Sequence, residues 1–174
     1  MAVIQDLQNL SAGLESSRQA TGSFDTYKFG YLGEINQMHR TDYPLILLTP
    51  PTSRSENIFK GDQLWNCKFY CYKQFSDQQD GQQNTGPVLP PNYTLENAFD
   101  DLEDRFTTLM EHFHLNNKYK WMLEPTWDIE RVSHEFNDEL VGIEVTCGIR
   151  AFRRCIELEV NDTTQYPPAG YGGG

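Results

Sequence analysis

Few residues in this chain have the type and spacing that chemistry requires. Cys67, Cys71, Cys147 and Cys155 come first. Cys67 and Cys71 share one face of a strand-like run, WNCKFYCYKQF, but stand about 13 Å apart at strand rise. That is too far for a local disulfide, and the spacing matches no Cys-x-x-Cys ligand knuckle. Buried core thiols in a reducing compartment are the better reading, with a zinc site built from all four as the sharper one. His112 and His114 lie two apart on a helix and diverge by about 200°, so they share no metal. Each reads as a helix-end histidine near the negative end of the dipole. His134 with Glu135, Asp138 and Glu139 carries hard-cation oxygens. SHEFNDEL lacks the spacing and turn glycine of a calcium loop, however, and reads as a solvated acidic connection.

Asp100, Asp101, Glu103 and Asp104 form an acidic run on a helix face. Carboxylates doing acid–base work need a cleft and shifted pKa values, which a solvent face does not supply. The run reads as solvated, with a basic partner as the second reading. Arg150, Arg153 and Arg154 could be that partner on a second copy, or could guard an exposed strand edge by positive charge. Trp65 falls on the core side of its strand. Trp121 and Trp127, split by Pro125, are either core or half-exposed anchors for a partner. The motifs GxGxxG, GxxxxGK[ST], HExxH and GxSxG are absent. No catalytic, cofactor-binding or metal-binding residue is assigned, no cofactor is expected, and the chain reads as a protein other than an enzyme.

The elements that must position these groups follow from periodicity. Ile4, Leu7, Leu10 and Leu14 step by three and four, which predicts an amphipathic helix leaving through SSRQATG. FDTYKFGYLGEI reads as extended, and DYPLILLTPP as a short buried strand stopped by Pro50 and Pro51. TSRSENIFKGD reads as a polar loop. Trp65, Cys67, Phe69, Cys71 and Phe75 share one parity of a long strand, whose apolar face only Lys73 breaks. Thr94 is an N-cap for a helix carrying the seam Leu95, Phe99, Leu102, Phe106, Leu109 and Phe113. KYKWMLEPTWDIERV is extended with an interruption at Pro125. In the last strand Val141, Ile143, Val145, Cys147 and Ile149 share one parity, and Phe152, Ile156, Leu158 and Val160 the other. The phase therefore slips near Ala151, as at a β-bulge.

These elements make an α+β fold: a single largely antiparallel sheet with two amphipathic helices packed on one face. A length of 174 residues allows one domain, placed at 1–160. A long loop at 76–91 and an extended C-terminal arm at 161–174 have no apolar periodicity. Neither can stabilise its own order, so both read as assembly elements. Val88 and Leu89 in the loop, Tyr166 and Tyr171 in the arm, and Arg150, Arg153 and Arg154 are the candidate subunit contacts. Hydrophobic content of 38% supports a packed core, and a net charge of −11 argues against duplex binding through the bulk surface. The longest apolar run, Pro44–Leu48, is far short of a membrane span. MAVIQDLQNL lacks a basic flank and a cleavage site, so no signal peptide is expected.

The motifs DYPLILLTPP, TLENAFDDLEDRFTTLM and GIEVTCGIRAFRRCIEL occur in an order that resembles the bacteriophage tail-terminator proteins. The same build is similar to that of the neck (head-to-tail connector) proteins, and it covers most of the chain from Asp25 to Val160. The resemblance implies a non-enzymatic structural protein of the virion, made in the host cytoplasm. It implies a homo-oligomeric ring, a hexamer by that likeness, bound to neighbouring neck or tail proteins, with no membrane. DNA would pass through without specific binding, which an acidic lumen favours by repelling phosphate. The competing reading is a small enzyme or adaptor domain with its site between sheet and helices.

Overall fold

Apolar residues at helical spacing wind the first segment into α1 (Ala2–Thr21), which buries Leu10, Leu14 and Ser17 on one side. The structure is a computed structural model and describes residues 2–37, 42–57, 62–75, 94–117, 120–135 and 140–152. The segment SSRQAT continues α1 where the sequence predicts an exit. Two local features carry it on. Arg18 hydrogen-bonds Glu15 at 2.8 Å, and Gly22, at φ +61°, takes the left-handed conformation that ends the helix. Arg18 also donates to the carbonyls of Phe24 and Asp25 at 3.1 and 2.9 Å, fastening the helix end to the chain that follows. Gly13 lies where α1 meets the second helix; a Cβ there would stand 3.1 Å from the Phe113 ring.

The five-stranded sheet has the order β1-β2-β3-β5-β4. Strand β1 (Thr26–Phe29) runs parallel to β2 (Leu45–Asn57). A 3-10 turn at Leu32–Gln37 stands between them in sequence. Strands β3 (Asp62–Gln74), β4 (Trp121–Glu135) and β5 (Leu140–Phe152) complete an antiparallel arrangement. The class α+β with a largely antiparallel sheet is what the periodicities predict. Strand β2 is longer than they predict: Pro50 and Pro51 do not stop it, and TSRSEN belongs to it. The ladder to β3 shifts register between Thr49 and Ser53, which absorbs two residues without N–H donors. On its other side β2 pairs with β1 only to Leu48, so among the described strands no second ladder needs the nitrogens of the prolines.

Helix α2 (Leu95–Asn117) opens on a reciprocal cap. The Thr94 N–H donates to Asn97 Oδ1 at 2.9 Å, and the Asn97 N–H donates back to Thr94 Oγ1 at 3.4 Å. Its seam Phe99, Leu102, Phe106, Leu109 and Phe113 is buried, with Ala98 and Met110 added and Leu95 half-buried. These residues form one core with Leu10 and Leu14 of α1, Ile46 and Leu48 of β2, and the inward parities of β3 and β5. Phe106 touches Phe69 edge-on at 5.4 Å and Trp127 at 5.6 Å between ring centroids. Trp65 and Trp121 also meet edge-on, at 6.5 Å, and both are buried; Trp121 is thus core. A smaller core of Ile35, Leu45, Leu47, Tyr72 and Leu140 includes the 3-10 turn.

In β5 the buried parity runs unbroken from Val141 to Ala151, and β3 pairs with β5 without a shift from Gln74↔Leu140 to Asp62↔Phe152. The expected phase slip is absent as far as Phe152; positions 156–160 lie outside the described residues. The irregularities fall instead on β4, between Leu123 and Trp127 around Pro125, and between Ser133 and Glu135.

Lys73, the break in the apolar face of β3, reaches α2 and donates to Asp101 Oδ2 at 2.6 Å. Arg105 reaches the same oxygen at 2.9 Å. Burial raises the pKa of the Asp101 carboxyl, but the two hydrogen bonds outweigh it and hold the group below its ordinary value. Its stabilising effect is complete above the unfolded value of about 3.9 and is lost as pH falls through the lower folded value. Asp101→Asn should therefore flatten the acid side of a stability–pH curve below about pH 4, read by urea unfolding at stepped pH. Phe106→Ala should cost roughly 3–5 kcal/mol, the usual range for an emptied Phe site. Chemical denaturation checks this, and an unchanged midpoint would contradict the packing of α2 on β3 and β4.

Candidate functional site

Of the expected subunit contacts, Val88, Leu89, Arg153, Arg154, Tyr166 and Tyr171 lie outside the described residues, as do the loop at 76–91, the arm at 161–174, and Cys155. Arg150 is described, and its surroundings differ from the expected exposed edge. Strand β5 lies between β3 and β4, because β4 returns along its far side. Arg150 Nη1 donates to Asp62 Oδ2 of β3 at 2.8 Å, and its Nε and Nη2 donate to Glu124 Oε1 of β4 at 3.1 and 2.7 Å. Those bonds, to Asp62 first and then Glu124, raise the guanidinium above its ordinary pKa. The acids that meet Arg150 belong to its own chain. Beside them Asp62 Oδ1 and Gln63 Nε2 are buried without a hydrogen-bond partner, while Gln63 Oε1 accepts from the Trp65 indole at 3.3 Å.

The acidic run of α2 is likewise engaged. Arg131 of β4 donates to Glu103, Glu96 and Asp100 at 2.9, 2.6 and 3.1 Å and lies 5.3 Å from the Phe99 ring centre. Its pKa is raised by the Glu103 hydrogen bond foremost. With Asp101 held by Lys73 and Arg105, the run works as a clasp between helix and sheet. The solvated face expected from the sequence is only partly that.

The thiols are buried. Cys67 and Cys147 face each other across the β3–β5 ladder, and Cys71 stands further along β3. Burial pushes the Cys67 and Cys71 thiols up, and Cys147 to about 12. Thiolate chemistry needs the opposite shift. Among the described residues no group of three His, Cys, Asp or Glu side chains is placed to hold a metal ion.

One open surface is more distinctive. A groove of about 470 Å³ runs between α1 and β1, lined by Gln8, Ser11, Ala12 and Glu15 of the helix and by Tyr27, Lys28 and Phe29 of the strand. Helical and strand periods explain why these meet: Ser11, Ala12 and Glu15 share a flank of α1, and the Tyr27 hydroxyl donates to Ser11 Oγ at 3.0 Å. Burial pushes the Tyr27 phenol up, so it remains a neutral donor. Glu15 is already paired with Arg18 and sits below its ordinary pKa through that hydrogen bond. Phe29 stays 41% exposed and the neighbouring Tyr31 71%.

The groove borders a strand edge. The N–H groups of Thr26 and Gly30 donate to the carbonyls of Pro44, just before β2, and of Leu48 in β2, so the even-numbered residues of β1 pair inward. The backbone N–H and C=O of Tyr27 and Phe29 then point outward, and no described strand lies beyond β1. The other edge, β4, is long but is interrupted twice and carries Pro125, Asp128, Glu130 and Arg131. These features discourage pairing. Sequence reasoning read FDTYKFGYLGEI only as extended; the alternation of Tyr27 and Phe29 around Lys28 was the available signal.

Arg150→Ala should leave the buried Asp62 carboxylate without its counter-charge. Breaking a buried pair costs roughly 3–5 kcal/mol, here toward the lower figure because the Arg150 side chain is 28% exposed. Adding Asp62→Asn should recover part of the loss, as measured by chemical denaturation of both variants. No protein-family model and no curated protein matches the chain.

Proposed function

We propose that this chain is a non-enzymatic structural subunit that assembles head-to-tail into a ring in the neck or tail of a bacteriophage virion. In that role it is a tail terminator or head-to-tail connector through which DNA passes, joined to neighbouring neck or tail proteins. The observation that carries the reading is the asymmetry of the sheet. One edge, β1, has outward backbone groups beside an apolar groove, and the other is blunted by bulges, proline and charge. A contact that sets the β1 edge of one copy against a different surface of its neighbour is heterologous, and a heterologous contact whose rotation closes makes a ring. Asp100, Asp101 and Glu103 of the acidic run, and Arg150, fasten helix to sheet and strand to strand in the described structure, which is compatible with the same reading. A net charge of −11 suits a lumen that lets phosphate slide past. No described helix is long and apolar enough to cross a membrane.

The groove also suits an adaptor that takes one extended partner by strand addition. Light scattering and negative-stain imaging of the purified full chain separate the two. A ring of subunits is the expected outcome, six by the family likeness; a monomer across the accessible concentration range would favour the adaptor.

A further inference from the structure

We propose that residues 156–160 of one copy add as a strand to the outer edge of β1, which no described strand covers, in a neighbouring copy. This rests on the reading of the chain as a self-assembling subunit and specifies which surfaces meet. Ile156-Glu157-Leu158-Glu159-Val160 alternates apolar and acidic residues with the period of a half-buried strand. The edge of β1 offers the complementary alternation. Tyr27 faces α1, as its bond to Ser11 requires, and Phe29 shares its parity, while Lys28 has the other. A strand laid along this edge places Ile156, Leu158 and Val160 in the groove against Ala12, Tyr27 and Phe29. It sets Glu157 and Glu159 on the side of Lys28, the one basic residue of β1. The outward N–H and C=O of Tyr27 and Phe29, which no described strand pairs, then gain ladder bonds, and the half-exposed Phe29 is covered.

The donor must be another copy, because the chain cannot reach its own groove. Phe29 is level with Leu48, Phe69 and Val145 across the sheet. Phe152 lies seven residues beyond Val145, which is about 23 Å along the strand. Three strand spacings separate β5 from β1, which adds about 14 Å across and makes the direct span roughly 27 Å. The chain from Phe152 to Ile156 covers at most about 14 Å when fully extended. Even drawn straight, only Val160 would touch Phe29, leaving Ile156 and Leu158 short of the groove. Donor and acceptor surfaces therefore lie at distant places on one subunit. Each copy can give a strand to one neighbour and take one from the other, which is a head-to-tail contact.

Two full-length variants test this. The donor variant carries Ile156→Ser, Leu158→Ser and Val160→Ser; the acceptor variant carries Ala12→Arg, which fills the groove from an exposed helix position. Thermal melts confirm that both fold. Light scattering should find each variant alone as a monomer under conditions where the unaltered chain assembles. An equimolar mixture should form a one-to-one pair that grows no further, since it contains one intact donor and one intact acceptor. Assembly that persists in either folded variant, or a mixture that stays monomeric, overturns the strand donation and leaves the ring reading standing. An unaltered chain that stays monomeric overturns both.

Discussion

The aromatic layer beneath α2 is the contact on which the other elements depend. Phe106 meets Phe69 of β3 and Trp127 of β4 edge-on, so one helical residue spans three neighbouring strands with β5 between. Burial of such rings is the largest apolar gain available to a chain of this size, and their edge-to-face geometry adds to it. Strands distant in sequence must be assembled before this layer exists. The unbroken ladder from Asp62↔Phe152 to Gln74↔Leu140 supplies that platform, and α1 extends it by packing Leu10 and Leu14 into the same core.

Charge is spent mainly at the border between helices and sheet. Arg131 gathers Glu96, Asp100 and Glu103, Lys73 and Arg105 share Asp101, and Arg150 joins β3 to β4 across β5. Lys68 pairs with Glu144 on neighbouring strands. Groups whose types suggest acid–base or metal chemistry are here locked into geometry. The thiols fare similarly: burial disfavours their charged forms, which makes them packing atoms. What the described surface leaves open is backbone, at one edge, beside a groove.

That asymmetry limits what the sheet can add at its edges. An edge strand is an aggregation hazard unless blunted or matched to a partner. The two interruptions, proline and charges of β4 blunt one side. The shortness of β1 limits the other to a brief extended segment with the right alternation. Pairing between two such unequal edges is disfavoured, and a graft of a short strand is what the β1 side admits.

By itself the sequence determined the two helices, the inward parity of β3 and β5, and the α+β class, because these follow from local periods of 3.6 and 2 that burial enforces residue by residue. The seam from Phe99 to Phe113 and the set Trp65, Cys67, Phe69 and Cys71 were legible for that reason. The place of β5 between β3 and β4, the passage of β2 through Pro50 and Pro51, and the pairing of Arg150 with Asp62 and Glu124 were decided only by tertiary structure. Each depends on which strand lies alongside, a choice made by contacts far apart in sequence that no local pattern encodes. The α1–β1 groove belongs to the same kind. Ser11 and Tyr27 are unremarkable residues until a parallel strand pairing brings helix flank and sheet edge together.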